Sequence, residues 1–240
     1  HAISMAYEDR PRQDSDTVLQ LLLSKEYAAE LASHINLDTN RYHGFNHSVL
    51  PPSWKAPWAH TTHLTAADKA GNVIALTQTI GPNMGSKVAS PELGFLYAVT
   101  LGGYLGDFQP GQRAASHISP LIVTKAGKPH LILGAAGGSR IPSSIIAVCT
   151  RVFDHNLSLE DALAAPRVHP IEDSIFLETT VGDGWKDEVV ADLEAKGFTI
   201  KRIDDKARFG RVHAVLFDET SGAWIGAADP DWEGVAGGPR

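Results

Sequence analysis

A threonine at the start of a predicted β-hairpin is the first residue of this sequence to consider as a reactive group. Thr61 follows a stretch rich in proline and tryptophan and opens a run of β-type residues that reaches a Gly-Asn turn at 71–72. A second such run follows at 73–80, so the two runs predict the antiparallel strands of a hairpin. If the bond between His60 and Thr61 is cut, the new amine of Thr61 can act as the base for its own hydroxyl. Taken alone, these residues favour a plain strand over a nucleophile, because threonine is a common strand residue.

A glycine-rich turn further along the chain is the second candidate for chemistry. Residues 134–140 read Gly-Ala-Ala-Gly-Gly-Ser-Arg, after a predicted strand and before a predicted helix that has Pro142 in its first turn. Exposed backbone N–H groups and the helix dipole suit an anion at such a place. A phosphate-binding loop is the competing interpretation, but the Gly-Lys-Ser/Thr ending that it requires is missing. Plain turn chemistry is the other interpretation, and after a nucleophile hairpin Gly137 and Gly138 become a credible oxyanion hole.

Histidines before the hairpin invite a metal-site interpretation. His43, His47 and His60 lie in the stretch 36–60, which has no steady period. Their spacing matches no zinc pattern, and no cysteine accompanies them. We interpret them as loop histidines and predict neither a metal nor any other cofactor.

The elements that must position these residues indicate an α+β protein. Periodicity and capping signals predict helices at 2–9, from 25 onward, after Pro142, at 158–164 and at 187–196. Beyond the hairpin, strands are predicted at 94–99, 121–124, 130–133, 175–178, 198–203, 212–217 and 223–227. Several strands form hairpins and the helices follow them, which favours antiparallel sheets with helices packed on their outer faces.

Composition limits the class of protein. The chain has 240 residues, 43% of them hydrophobic and 20% charged, which is ordinary for a globular domain. The formal net charge of −7 argues against a general nucleic-acid or membrane-surface binder. No apolar run approaches the roughly 20 residues that span a bilayer. The single cysteine, Cys149, excludes an intrachain disulfide and lies in an apolar helical pattern, so we interpret it as a core residue.

The beginning of the chain reads as the middle of a helix. His1 is not an initiator methionine, and no capping signal precedes the residues 2–9. This start predicts that the chain is the C-terminal part of a longer precursor.

Several motifs, taken in order, resemble the γ-glutamyltransferase family of N-terminal-nucleophile hydrolases. The motifs are Thr-Thr-His at 61–63, Thr-x-Thr at 77–79, Pro-Gly-x-Arg at 110–113, Ser-x-x-Ser-Pro at 116–120, Gly-Gly-Ser-Arg at 137–140 and Ala-Pro-Arg at 165–167. Residues 61–240 resemble the small, catalytic subunit of the family, and residues 1–60 resemble the end of its large subunit. The resemblance implies a four-layer αββα sandwich with antiparallel sheets, and a large-subunit-like segment upstream of His1 as a partner.

The resemblance also implies a mechanism. The precursor would cut itself between His60 and Thr61, and Thr61 would become the nucleophile. Thr79 matches the threonine that hydrogen-bonds the nucleophile, and Gly137 and Gly138 match the pair whose N–H groups hold the oxyanion. An acyl-enzyme would then pass its acyl group to water or to an amine. The arginines at family positions are interpreted as structural; they are Arg113, Arg140 and Arg167.

The residues that would recognise a glutamyl head group depart from the family pattern. The family's asparagine two residues after the helper threonine is Gly81 here, and the serine pair for the α-carboxylate is Ser116-His117. The region of the family's Gln and Asp reads Thr-Leu-Gly-Gly from Thr100 to Gly103. An ammonium group needs a carboxylate partner in a binding site. We therefore expect a small-molecule amide that is not a standard γ-glutamyl compound.

A non-catalytic relative that keeps the fold and binds a ligand or a partner chain is the alternative. The replacements at Gly81 and Gly103 favour it. The presence of Thr61, Thr79 and the Gly137-Gly138 pair argues against it.

Overall fold

The computed structural model of the chain describes residues 1–9, 12, 15–39, 59–99, 116–171 and 174–238. Its helices are α1 (Ala2–Asp9), α2 (Asp16–Leu22), α3 (Lys25–Ser33), α4 (Ile141–Phe153), α5 (Leu159–Ala164) and α6 (Asp187–Ala195). Its strands are β1 (Ala59–Ala67), β2 (Val73–Pro82), β3 (Leu121–Lys125), β4 (Lys128–Ala136), β5 (Val168–Ile171), β6 (Ser174–Glu178), β7 (Thr199–Ile203), β8 (Arg211–Asp218) and β9 (Ala223–Ala228). Among the helices described, none has both the length and the apolar character that crossing a membrane requires.

Strands β1 and β2 form the predicted hairpin. They pair antiparallel, with Thr61 opposite Thr79. The turn is held by Asp68, whose Oδ1 accepts hydrogen bonds from the N–H groups of Ala70 (2.8 Å) and Asn72 (2.9 Å). A short acidic side chain that caps its own turn fixes the loop length and thereby the register of the strands.

A four-stranded antiparallel sheet, in the order β3-β4-β8-β9, lies between the hairpin and helices α4 and α5. Strand β4 contacts the hairpin and helix α4. Its residues Leu131, Leu133 and Ala135 belong to the core cluster that includes residues of α4 and α5. Alternate residues of a strand point to opposite faces, so Ile132 and Gly134 face the hairpin. Cys149 packs at the edge of this core, and burial raises the pKa of its thiol to about 11.

The third sheet has three strands in the order β5-β6-β7. Strands β5 and β6 are antiparallel, whereas β6 and β7 are parallel. The chain passes from β6 to β7 through helix α6, and a crossover of this kind is what parallel strands require. This pair is the exception to the predicted antiparallel arrangement.

A buried arginine ties the third sheet to the second. Arg167 is 1% exposed, and its Nε donates a hydrogen bond of 2.7 Å to Glu178 of β6. Its terminal nitrogens bond to Asp229, which directly follows β9, and to the carbonyl oxygen of Gly210, which directly precedes β8. This agrees with the structural role predicted for Arg167.

Three elements differ from the sequence-based expectations. The strand predicted at 94–99 is wrong, because this segment forms only an isolated bridge between Ala89 and Leu96. Helix α2 was not predicted, and it is short with no buried residue to impose a period. Strand β5 was not predicted because it has only four residues and includes Pro170. The remaining predicted helices and strands are present, and the α+β class is confirmed.

Candidate active site

The hydroxyl groups of Thr61 and Thr79 are joined across the hairpin. Thr61 Oγ1 donates a hydrogen bond of 3.0 Å to Thr79 Oγ1. Thr79 Oγ1 accepts a second hydrogen bond from the N–H of Gly81 (3.1 Å) and donates its own proton to the carbonyl oxygen of His60 (3.2 Å). A hydroxyl has one donor and two acceptor sites, so Thr79 is fully satisfied and holds the Thr61 hydroxyl in one orientation.

The backbone is irregular at the peptide bond before Thr61. The pairing register of β1 and β2 shifts between His60 and Thr61. Such a bulge leaves the local ladder disrupted and is a feature found beside active sites. The bond that would be cut therefore lies where the strand is least regular.

A buried histidine lies two residues beyond Thr61. His63 is 3% exposed, and its Nδ1 is 2.6 Å from Thr77 Oγ1. Burial, with a smaller contribution from His213, lowers the pKa of His63 to about 4. His63 is therefore neutral near pH 7, and its hydrogen bond to Thr77 fixes the hairpin two pairs further along from Thr61 and Thr79.

The glycine-rich turn has the conformation that only glycine adopts readily. Gly137 has φ of 150° and ψ of 14°, and Gly138 has φ of 60°. A short 3₁₀ turn at Gly138–Arg140 leads into α4, whose first turn contains Pro142 as predicted. The turn thus stands directly before a helix N-terminus, where backbone N–H groups lack partners within the helix.

The hairpin and the glycine-rich turn belong to elements in direct contact. The ring of His63 packs against Gly134, which is in the strand that ends one residue before Gly137. The structure thus joins Thr61 to Thr79 by a hydrogen bond and joins the hairpin to the strand that carries the turn. The approach of the Gly137 and Gly138 N–H groups to the reacting centre stays a prediction.

Two of the four predicted substrate-binding residues are described. Ser116 Oγ accepts a hydrogen bond of 3.1 Å from the N–H of Ile118, and the carbonyl oxygen of His117 accepts one of 3.0 Å from Ser119 Oγ. These local hydrogen bonds hold the irregular segment just before β3. Thr100 and Gly103 lie outside the described residues.

The histidines considered for a metal site, His43 and His47, also lie outside the described residues. Within the described ranges, no three His, Cys, Asp or Glu residues are grouped so that they could hold a metal ion.

Two residues that support the glycine-rich turn were missed by sequence reasoning. Gly210 packs against Gly137, and its N–H donates a hydrogen bond of 3.0 Å to Ser144 Oγ. The one sequence signal for Gly210 is a glycine placed two residues before the strand predicted at 212–217. Ser144 gives no signal, because it is one of two adjacent serines in a helix.

Comparison with known families agrees with this arrangement. The model of the family described as Gamma-glutamyltranspeptidase matches residues 2–238. The chain belongs to the γ-glutamyltranspeptidase family.

Curated relatives in the γ-glutamyltranspeptidase family are about two and a half times as long as this chain. It is 30% identical to the glutathione hydrolase proenzyme of Escherichia coli strain K12, over 94% of this chain and 41% of that protein. It is 29% identical to the acylase ACY 1 proenzyme of Pseudomonas sp. strain V22, over 95% of this chain and 40% of that protein. The chain therefore spans about two fifths of the length of these relatives.

Solved structures of the family share the fold. The γ-glutamyltranspeptidase of Pseudomonas nitroreducens complexed with L-DON superposes with a TM-score of 0.64 at 31% sequence identity. The superposition covers 75% of this chain and 100% of that one. This likeness confirms the fold predicted from the sequence, the α+β sandwich of the family.

Proposed function

We propose that residues 61–240 form the catalytic segment of a self-processing threonine-nucleophile amide hydrolase or acyltransferase, and that residues 1–60 form the end of its large-subunit-like segment. The hydrogen bonds of Thr79 carry the proposal. One hydroxyl contacts both the candidate nucleophile, Thr61 Oγ1, and the carbonyl oxygen of His60, the group that self-cleavage must attack.

Self-cleavage requires attack by Thr61 on its own preceding peptide. Thr61 Oγ1 adds to the carbonyl carbon of His60, and the bond from this carbon to the nitrogen of Thr61 breaks. The nitrogen leaves as an amine, and His60 remains attached to Thr61 Oγ1 as an ester. Water hydrolyses the ester, which frees the His60 carboxylate and the Thr61 hydroxyl and leaves Thr61 with its new free amine.

Turnover uses the amine that self-cleavage exposes. The amine of Thr61 accepts the hydroxyl proton as Oγ1 adds to the carbonyl carbon of an amide substrate. The N–H groups of Gly137 and Gly138 hold the oxyanion, and the leaving amine takes the proton as the carbon–nitrogen bond breaks. The acyl-enzyme on Thr61 then passes its acyl group to water or to an acceptor amine.

The proposed substrate is a small-molecule amide other than a standard γ-glutamyl compound. Relatives in the family are named as a glutathione hydrolase and as an acylase, so the family fits more than one acyl group. Gly81 stands where the family pattern has asparagine, with φ of 83°. A Cβ on Gly81 would lie 2.0 Å from the carbonyl oxygen of Val99. An asparagine side chain has no room in this backbone, which supports a different acyl group.

The proposed substrate-binding positions are Thr100, Gly103, Ser116 and His117.

A non-catalytic relative that binds a ligand or a partner chain is the second candidate function, and the glycine at position 81 in place of the family's asparagine favours it. The proposed partner of the chain is a large-subunit-like segment.

Intact mass measurement combined with N-terminal sequencing of the purified protein tests self-processing. We expect a fragment that begins Thr-Thr-His at Thr61, and we expect Thr61→Ala to remain uncut. Thr65→Ala, which changes a half-buried threonine of the same strand, serves as the matched control and should be cut. A panel of acyl p-nitroanilides with γ-glutamyl, glutaryl and oxamyl groups then identifies the acyl preference. A wild-type chain that stays uncut at neutral pH and hydrolyses none of them would leave the non-catalytic relative as the better description.

A further inference from the structure

Gly137 and Gly210 face each other where a strand ladder ends. The last pair of β4 and β8 is Ala136 with Arg211, so the two glycines come immediately beyond it. A Cβ on Gly137 would lie 2.7 Å from the Cα of Gly210. The backbone of Gly210 therefore limits the positions that Gly137 can take.

Gly210 is itself held by two buried side chains. Its N–H donates to Ser144 Oγ at 3.0 Å, and its carbonyl oxygen accepts from Arg167 at 2.7 Å. Ser144 is 0% exposed and Arg167 is 1% exposed. A Cβ on Gly210 would lie 2.6 Å from Ser144 Oγ and 2.9 Å from the carbonyl oxygen of Arg140, so the packing leaves no space for a side chain. We call Ser144, Gly210 and Arg167 the Gly210 clamp.

The clamp is anchored in the interior of the protein. Arg167 bonds to the buried carboxylates of Glu178 and Asp229. Asp229 also accepts a hydrogen bond of 3.0 Å from the N–H of Val212, two residues beyond Gly210. The position of Gly210 is thus set by groups that water does not reach.

We propose that Gly210 is a positioning residue for the oxyanion turn, and that Ser144 and Arg167 act through it. This inference rests on the proposed function. The direction of the Gly138 N–H depends on ψ of Gly137, and Gly210 restricts that torsion. Hydrogen bonds weaken steeply when they are misaligned. Because the oxyanion exists only in the transition state and the intermediate, a displaced turn lowers kcat more than it changes KM.

Two substitutions test the clamp without touching the reacting groups. Ser144→Ala removes the acceptor of the Gly210 N–H and adds no bulk. Gly210→Ala introduces a Cβ that must displace the backbone of Gly210. The substrate is the acyl p-nitroanilide that the wild-type protein hydrolyses fastest, and kcat is expressed per active site, counted as chains with a free Thr61 amine. We expect this kcat to fall about tenfold for each variant, and we expect KM to stay within about twofold of the wild-type value.

Matched controls separate positioning from general loss of stability. Ser158→Ala removes the N-cap of α5, an exposed hydrogen bond of 3.1 Å that Ser158 Oγ accepts from the N–H of Asp161, and lowers stability through an element outside the Gly210 clamp. Gly237→Ala adds a Cβ that meets nothing within 4 Å. Both controls should keep the wild-type kcat per site. N-terminal sequencing counts the chains that begin at Thr61, and dividing the rate by this count removes any effect of a variant on the amount of processed protein.

The outcomes distinguish this inference from the proposed function. An active wild-type protein whose Ser144→Ala variant keeps its kcat per site overturns the positioning role of Gly210 alone. If Gly210→Ala does not fold, Ser144→Ala decides the question, since it only deletes one hydroxyl. A wild-type protein that neither frees Thr61 nor hydrolyses any amide of the panel overturns the proposed function and this inference with it.

Discussion

The imidazole ring of His63 lies face-on to the Cα of Gly134, in the sheet beneath the hairpin. A Cβ on Gly134 would lie 2.3 Å from Cε1, 2.5 Å from Nδ1 and 2.7 Å from Nε2 of His63. Gly134 pairs with His213 on the neighbouring strand, and side chains directly opposite each other in an antiparallel pair share a face. The hairpin thus contacts the four-stranded sheet at Gly134, and His213 is the neighbour of Gly134 on the adjacent strand.

Gly134→Ala should destabilise the protein by about 1–3 kcal/mol, because the added methyl group overpacks a buried contact with no flexible neighbour. Urea unfolding with linear extrapolation measures this change. Gly237→Ala, where an added Cβ has open space, should leave the free energy of unfolding nearly unchanged. Equal free energies for the two variants would show that the hairpin can shift away from the sheet at no cost.

Protein stability should decrease as the pH falls from about 6.5 towards 4. The pKa of His63 is about 4 in the folded chain, against 6.5 for an ordinary histidine. Between these values the unfolded state binds more protons, so acid favours unfolding. The lowered pKa corresponds to a decrease in the free energy of unfolding on the order of 3 kcal/mol once the pH has fallen below both pKa values. His169, whose pKa is lowered to about 3 by burial and by nearby Arg140 and His117, acts in the same direction.

His63→Asn isolates the contribution of His63 to this pH dependence. Asparagine can keep the hydrogen bond to Thr77 but does not titrate. We expect the slope of the unfolding free energy against pH, measured by urea titrations between pH 5 and 6, to fall by about 1 kcal/mol per pH unit. Because His169 remains, part of the slope should persist. A slope equal to that of the wild type would refute the assignment.

Local features were predictable and contacts between distant segments were not. The hairpin follows from two runs of β-type residues on either side of the Gly-Asn turn, and its register then sets Thr61 opposite Thr79. The turn at Gly137 follows from the glycines alone. The contacts that support it join residues far apart in sequence: Gly210 to Ser144 over 66 positions, and Arg167 to Asp229 over 62. No local period encodes such pairs, so the support of the turn emerged only from the structure.

Thr79→Val should slow acyl transfer about tenfold or more, because it removes the acceptor of the Thr61 hydroxyl while keeping the shape of the side chain. Thr79→Ser keeps the oxygen and should retain most of the rate. Hydrolysis of the preferred acyl p-nitroanilide by processed protein measures both. Thr65→Val, a β-branched substitution in the same hairpin, is the control. If Thr79→Val were as fast as this control, the hydrogen bond would have no part in the reaction.

Arg167→Met should destabilise the protein by about 3–5 kcal/mol, because it leaves the carboxylates of Glu178 and Asp229 buried without their cation. Lys125→Met breaks an ion pair with Glu219 in which both side chains are 58% exposed, and should cost at most about 1 kcal/mol. Urea unfolding of the two variants under identical conditions gives the comparison. A similar small effect for both would mean that water reaches the Arg167 site.

The register shift before Thr61 determines how the hairpin responds to a break in the chain. On its carboxyl side the ladder runs without interruption from Thr61 to Ala67, and on the other side the described part of the chain adds the pairs of Ala59 and His60. A break of the chain at the register shift leaves the longer ladder intact, and the two residues before the break, Ala59 and His60, can then separate from β2. If the proposed self-cleavage takes place there, we expect the new His60 carboxylate to move away from the Thr61 amine, so that the two ends are no longer held together for resealing. The bulge would thereby favour separation of the two new ends over re-formation of the peptide bond.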